Sequence, residues 1–193
     1  MFLNDNERDL LLWDRFCNGD TEAFVSIFKI YYTPLFHYGC KMTTQSVLTE
    51  DCIQELFIEL WKSGRNRKIV SLKAYIFAAF KFKLVKLIKK NNQSANTTTD
   101  EEVRFEISKE MLLINEQENT ELTQKVYNAL QKLPTRQREI IYLKFYLGFD
   151  YEEVSKMMNI NYQAARNLVY KSIKELKKTI TIFIVFSASF LNV

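Results

Sequence analysis

The side chains that usually carry bond chemistry are sparse in this sequence, and their spacing does not suit it. The one histidine, His37, has no carboxylate or nucleophile at a fixed interval from it. Cys17, Cys40 and Cys52 are odd in number and lack the C-x-x-C step of a zinc or redox site, so they read as reduced core thiols. Glu50, Asp51, Glu55 and Glu59 follow helical i, i+4 steps, as metal-holding carboxylates of helical bundles do, but the Glu-x-x-His pairs those sites need do not occur. The acids read instead as a helix face for a protein partner. The expectation is a chain that is not an enzyme, with no catalytic set, metal, cofactor or small-molecule substrate.

What the sequence offers in quantity is cations interleaved with rings. Residues 62–90 hold ten Lys/Arg and no acid. Within them Lys81, Lys83, Lys86, Lys89 and Lys90 suit phosphates, while Tyr75, Phe77, Phe80 and Phe82 are rings of the kind that stack on unpaired bases. The plainer alternative, core aromatics under solubilising lysines, is favoured for Phe80 and stands level for Phe77 and Phe82. A second set lies at 162–174: Tyr162, Gln163, Arg166, Asn167, Tyr170, Lys171 and Lys174. Arg suits guanine edges, Asn and Gln suit adenine, and Lys suits the backbone, which is the inventory of a major-groove reader. A solvated helix face is the alternative there.

These residues need helices to position them, and helical periodicity runs through most of the chain. Phe24, Ile27, Phe28, Tyr31 and Leu35 form an apolar stripe after an N-cap at Asp20, and Ile53, Leu56, Phe57, Leu60 and Trp61 form another from Asp51 on. A third helix begins near Ser71, with Ile76, Phe80, Leu84, Leu87 and Ile88 on one side. Leu122, Val126, Ala129, Leu130 and Leu133 mark a helix that stops at Pro134. The next carries Ile140, Leu143 and Leu147 and ends at Gly148, suited to the left-handed C′ position. Asp150 with Glu153 reads as a capping box opening a short helix to about Met157. Asn161 caps the last helix, with Ala165, Val169, Ser172, Ile173 and Leu176 inward. The short helix, tight turn and longer helix have helix-turn-helix spacing.

Composition and charge agree with an all-α chain of two small domains. Four glycines and two prolines in 193 residues leave little material for β-turns or Gly-rich phosphate loops. The net +4 is a sum of blocks: −6 over 1–61, +10 over 62–90, −5 over 91–120 and +5 over 131–178. Two basic blocks parted by an acidic one suggest a polyanion gripped at two places. The polar run from Asn91, NNQSANTTTDEE, reads as a flexible linker. The expected organisation is a domain over 1–90, a linker over 91–117, a helix-turn-helix domain over 118–180 and an apolar tail over 181–193. The acids in MFLNDNERD do not suit a signal peptide, and the uncharged stretch from Thr179 falls short of the ~20 residues of a spanning helix, so a cytoplasmic protein is expected.

In this order, Asp20-Thr-Glu-Ala-Phe24, Tyr31-Tyr-Thr-Pro-Leu35 and Glu50-Asp-Cys-Ile-Gln-Glu-Leu-Phe57 with Leu60-Trp61 resemble the N-terminal half of a sigma factor of the sigma-70 superfamily. The type is the compact extracytoplasmic-function (ECF) one, with only the second and fourth conserved regions. Leu133-Pro134, Arg138-Glu139, Tyr151-Glu-Glu-Val154 and Ile160-Asn-Tyr-Gln-Ala-Ala-Arg-Asn-Leu-Val-Tyr170 resemble its C-terminal half. The resemblance covers roughly 18–178, is weakest over 91–120, and is closest to Bacteroidota members at Gly148-Phe-Asp-Tyr-Glu-Glu153 and the helix-turn-helix. It implies a transcription initiation factor that binds core RNA polymerase through the β′ coiled coil and the β flap and directs it to promoter DNA. The implied docking set is Asp51, Gln54, Glu55, Phe57 and Trp61. The implied −10 set is Tyr75, Phe77, Lys81, Phe82, Lys83, Lys86, Lys89 and Lys90, and the helix at 162–174 is implied to read the −35 element. A membrane-anchored anti-sigma factor is the implied regulator. The sequence departs from the family at Lys81-Phe82, Lys86 and Lys89, where many members have a basic-Asn pair followed by Asp and Arg, and at Asn159, where Gly is usual. Two rival readings stay open: a regulator pairing the helix-turn-helix with an unrelated sensor domain, and a membrane-surface protein using the Lys-rich helix.

Overall fold

The computed structural model describes residues 5–63, 68–94, 104–107 and 120–190. Among them all regular structure is helical, and the chain divides into two compact units, Met1–Arg104 and Phe105–Val193.

The first unit holds α1 (Asp5–Cys17), α2 (Thr21–Gly39), α3 (Ser46–Ser63) and α4 (Leu72–Ser94). Gly19, at φ +94°, turns the chain out of α1, and Asp20 then caps α2 by accepting the backbone N–H groups of Glu22 at 2.9 Å and Ala23 at 3.1 Å. The α1 helix has no counterpart in the sequence reading, because its buried stripe is only Trp13 and Phe16. The α3 helix starts at Ser46, a turn before the expected Asp51.

Three helices touch α4, and that contact reassigns its aromatics. Ile76, Phe77, Phe80 and Leu84 are all buried, with Phe77 edge-on to Tyr38 at 5.7 Å. Gly39 makes this closeness possible, since a Cβ there would lie 2.4 Å from Thr49 Cγ2 and 2.9 Å from Phe80 Cζ. Beside it Cys52 is fully buried, its Sγ 3.9 Å from the Phe80 carbonyl, and desolvation pushes its thiol pKa up to about 12.

The second unit holds α5 (Thr120–Gln131), α6 (Thr135–Ile141), a π-helical turn (Tyr142–Tyr146), α7 (Tyr151–Met158) and α8 (Tyr162–Phe190). Sequence periodicity anticipates one plain helix through Leu147; the π turn instead closes with Leu147 N–H donating to the Tyr142 carbonyl at 3.0 Å. Gly148 follows at φ +68°. The capping box at Asp150 forms as expected, with Glu153 N–H to Asp150 Oδ1 at 2.7 Å and Asp150 N–H to Glu153 Oε2 at 2.8 Å. Asn159 takes the left-handed conformation, φ 50° and ψ 52°, that reverses the chain between α7 and α8.

Three boundaries differ from the sequence reading, the first being the end of α4, which runs on to Ser94 inside the stretch read as linker. The α8 helix continues to Phe190, through the stretch read as a separate tail. Inside the stretch read as linker, Phe105 and Ile107 are buried in the second unit, so this part of 91–117 is packed chain. Among the described residues no helix is long and apolar enough to cross a membrane.

Candidate nucleic-acid interface

In the first unit, the outer side of α4 and the adjacent side of α3 form one surface. Phe82 is 73% exposed, and Lys86, Lys89 and Lys90 are exposed, while Tyr75 and Lys81 are half-buried. A cavity of about 300 Å³ opens here, lined by Leu56, Glu59, Tyr75, Ala79, Phe82, Lys83 and Lys86. Ring faces beside ammonium groups give it the chemistry to hold a flat, anionic-linked group such as an unpaired nucleotide. Tyr75 is braced from behind by Trp13, ring centroids 5.6 Å apart and edge-on.

Two expected members play other parts. Phe77 is 0% exposed, locked among α2 and α4 side chains, and cannot stack on a base without unfolding the unit. Lys83 is half-buried and turned toward α3, where its Nζ lies 2.7 Å from Glu59 Oε1 and 3.5 Å from Glu55 Oε2. Desolvation works to lower the Lys83 pKa, but the Glu59 hydrogen bond and the two carboxylates outweigh it and hold the ammonium above its usual range. Lys83 is therefore a strut between α3 and α4 at the cavity lip. Sequence spacing groups Glu59 with the acidic face and has no means of showing this pairing across 24 residues.

On α3, Asp51, Gln54 and Glu55 are exposed, and Trp61, 38% exposed, packs edge-on against Phe24 at 4.9 Å. These four share an accessible edge. Phe57 does not: it is buried, edge-on to Phe28 at 4.9 Å, so it shapes the face from beneath and offers nothing to a partner.

In the second unit the start of α8 is set by Asn161, whose Oδ1 accepts the Ala164 N–H at 2.7 Å. Ala165, Val169 and Ser172 face inward, and Tyr162, Gln163, Arg166, Asn167, Tyr170, Lys171 and Lys174 are all exposed. The face is ordered within itself: Gln163 Nε2 donates to Asn167 Oδ1 at 3.2 Å, and the Arg166 guanidinium sits 6.0 Å from the Tyr162 ring centroid. Below it, Arg136 Nη2 donates to the Met158 carbonyl at 3.3 Å and ties α6 to the turn. A short helix, a left-handed turn and a long helix with its polar face free have the form that enters a DNA major groove.

Residues 123–176, which run from α5 to the middle of α8, match the family model described as sigma-70, region 4. The second unit carries a sigma-70 region 4 domain. Its exposed α8 face is thus the helix-turn-helix face of region 4. The fold likeness extends beyond region 4. The sigma factor RpoE of Bartonella quintana, solved in complex with the anti-sigma factor NepR, is similar at a TM-score of 0.60 and 18% identity, over 84% of this chain and 99% of that one. CnrH, solved with the cytosolic domain of CnrY, is similar at 0.59 and 15% identity, over 90% and 97%. The fold is the two-domain helical fold of these proteins. Among curated proteins, none matches the chain by sequence.

Proposed function

We propose that this chain is an ECF-type sigma factor, which joins core RNA polymerase and gives it promoter specificity. The observation that carries the reading is the region 4 match lying on a helix-turn-helix whose outer face holds Arg166, Asn167 and Gln163 in the open. A fold likeness to sigma factors covering more than four fifths of the chain supports it over a regulator with an unrelated sensor domain.

In this reading no covalent bond is made or broken by the chain. Region 4 holds duplex at the −35 element, and the α4 surface captures an unpaired −10 strand, with Phe82 and Tyr75 against bases and Lys81, Lys86, Lys89 and Lys90 along phosphates. Capture shifts the duplex toward its open form by the difference in affinity between unpaired and paired strand. Asp51, Gln54, Glu55 and Trp61 dock on the polymerase β′ coiled coil, and region 4 meets the β flap. An anti-sigma factor is the proposed regulator, membrane-anchored as is usual in Bacteroidota-like members. The solved relatives, one held by NepR and one by the cytosolic domain of CnrY, support an inhibitory partner of this kind.

Co-purification with core polymerase tests the reading. The chain is expected to elute with the enzyme and to give promoter-specific run-off transcripts, and Asp51→Lys with Glu55→Lys to lose both while circular dichroism stays helical. A folded wild-type chain that neither associates with core polymerase nor changes its start sites ends the proposal.

A further inference from the structure

Two pairs of side chains, each spaced i, i+4, lie along the exposed face of α8, and they are held differently. Gln163 and Asn167 hold each other, Nε2 to Oδ1 at 3.2 Å, by a bond internal to the helix. Tyr162 and Arg166 are tied beyond it. The Tyr162 ring meets the Tyr151 ring of α7 edge-on, centroids 6.0 Å apart and planes at 74°. On the far side of that contact the Lys144 ammonium of the π turn lies 4.7 Å from the Tyr151 centroid, and the same Nζ donates to the Phe149 carbonyl at 2.9 Å. On the near side the Arg166 guanidinium stands 6.0 Å from the Tyr162 centroid. A line of four groups, Lys144, Tyr151, Tyr162 and Arg166, thus runs from the π turn through α7 to the polar face of α8.

Both rings stand on fixed backbone. Tyr151 is the first residue of α7, placed by the capping box of Asp150 and Glu153, and Tyr162 is the first residue of α8, placed by the Asn161 cap. An arginine must give up rotamer freedom to hold a base edge. A ring already standing against it removes part of that loss before DNA arrives. We propose that Tyr151 is a positioning residue for base readout: it holds Tyr162 from α7 and so aims Arg166, whereas Asn167 is aimed from within α8. The proposal rests on the promoter reading above and assigns selectivity at one base to a residue outside the recognition helix.

The test is a binding panel of −35 variants at fixed salt, with the full chain in holoenzyme. Arg166→Ala and Asn167→Ala first mark the position that each side chain reads. Tyr151→Leu is expected to lower discrimination at the Arg166 position by about two- to fivefold, the size of an exposed cation–ring contact, and to leave the Asn167 position as in wild type. Tyr151→Phe keeps the ring and should keep the wild-type profile, and Tyr151→Leu should add nothing in an Arg166→Ala background. An unchanged profile overturns the proposal. So does equal flattening at both positions, which marks a general disturbance of α7 on α8, and so does an equal loss on every sequence, which marks a phosphate contact. If Tyr151→Leu loses its helical circular dichroism, Lys144→Met takes its place and is held to the same outcomes. Should Arg166→Ala and Asn167→Ala both leave the profile unmoved, the promoter reading fails, and nitrogen-15 relaxation of the free chain decides the positioning. Arg166 Nε–H less ordered in Tyr151→Leu than in wild type, with the Gln163 side-chain amide unchanged, supports it; equal order at Arg166 overturns it.

Discussion

Phe77 and Phe82 lie five positions apart on one helix and have opposite fates, which makes them the cleanest test of the α4 surface. Phe77→Ala empties a core position and should cost about 3–5 kcal/mol in urea melts. Phe82→Ala removes a ring that is mostly in solvent, so stability should stay within about 0.5 kcal/mol, while binding of an unpaired oligonucleotide weakens by about 1–3 kcal/mol. On α8 the contrast is between edges and backbone. Arg166→Ala should relax discrimination at one −35 position by about 1–3 kcal/mol, whereas Lys174→Ala should weaken every sequence alike and reduce the log–log salt slope by about 1. A binding panel of promoter variants at two salt concentrations checks both; a preference profile that Arg166→Ala leaves intact removes the base-reading role. The exposed side chains of α8 were legible in sequence because one clean apolar stripe implies its opposite face. Phe77 was not, since a helix surrounded by three neighbours has no single inward side, and neither was the Lys83–Glu59 pair, which only the packing of α3 on α4 creates.

At the scale of elements, the caps and turns were the most readable features because they depend on a few consecutive residues. Asp20, Asp150 and Asn161 each accept the backbone donors that their positions imply. Asp150→Ala should cost about 1 kcal/mol and loosen α7, seen as a lower melting point of the second unit. Asp20 carries a pH signature. The Ala23 N–H first, and Arg15 with it, hold its carboxyl below the ordinary 3.8. Its contribution is complete above that value and fades as pH falls through the lower, folded-state one. Asp20→Asn keeps an acceptor at the cap but cannot titrate, so the acid-side fall in melting temperature of the first unit should be shallower in the variant. Gly39→Ala drives a methyl into Thr49 and Phe80, and about 1–3 kcal/mol of destabilisation is expected by denaturant melts. The packed segment at Phe105–Ile107 and the π turn escaped the sequence, the first because an apolar-polar alternation of so few residues beside a long polar run does not stand out, the second because its local pattern is that of an ordinary helix.

Across the whole molecule, charge and fold follow the same partition. The +10 block falls in the first unit and the +5 block in the second, so on the proposed function each unit should contribute its own share of the salt dependence of DNA binding. Sulfur is distributed less evenly. Cys17, Cys40 and Cys52 account for every cysteine in the chain and all lie in the first unit. Cys17 and Cys40 are partly accessible, whereas Cys52 is sealed and its pKa of about 12 leaves it almost wholly protonated at neutral pH. Alkylation of Cys52 must then wait for the helices around it to part, which turns the protein into its own clock. Mass-resolved labelling of the intact chain should show two fast thiols and one slow one, and the slow rate times the opening of the first unit alone. Phe77→Ala should quicken it and Asp150→Ala should leave it unchanged, even with both units joined and with polymerase or DNA present, where an optical melt would blur the two together.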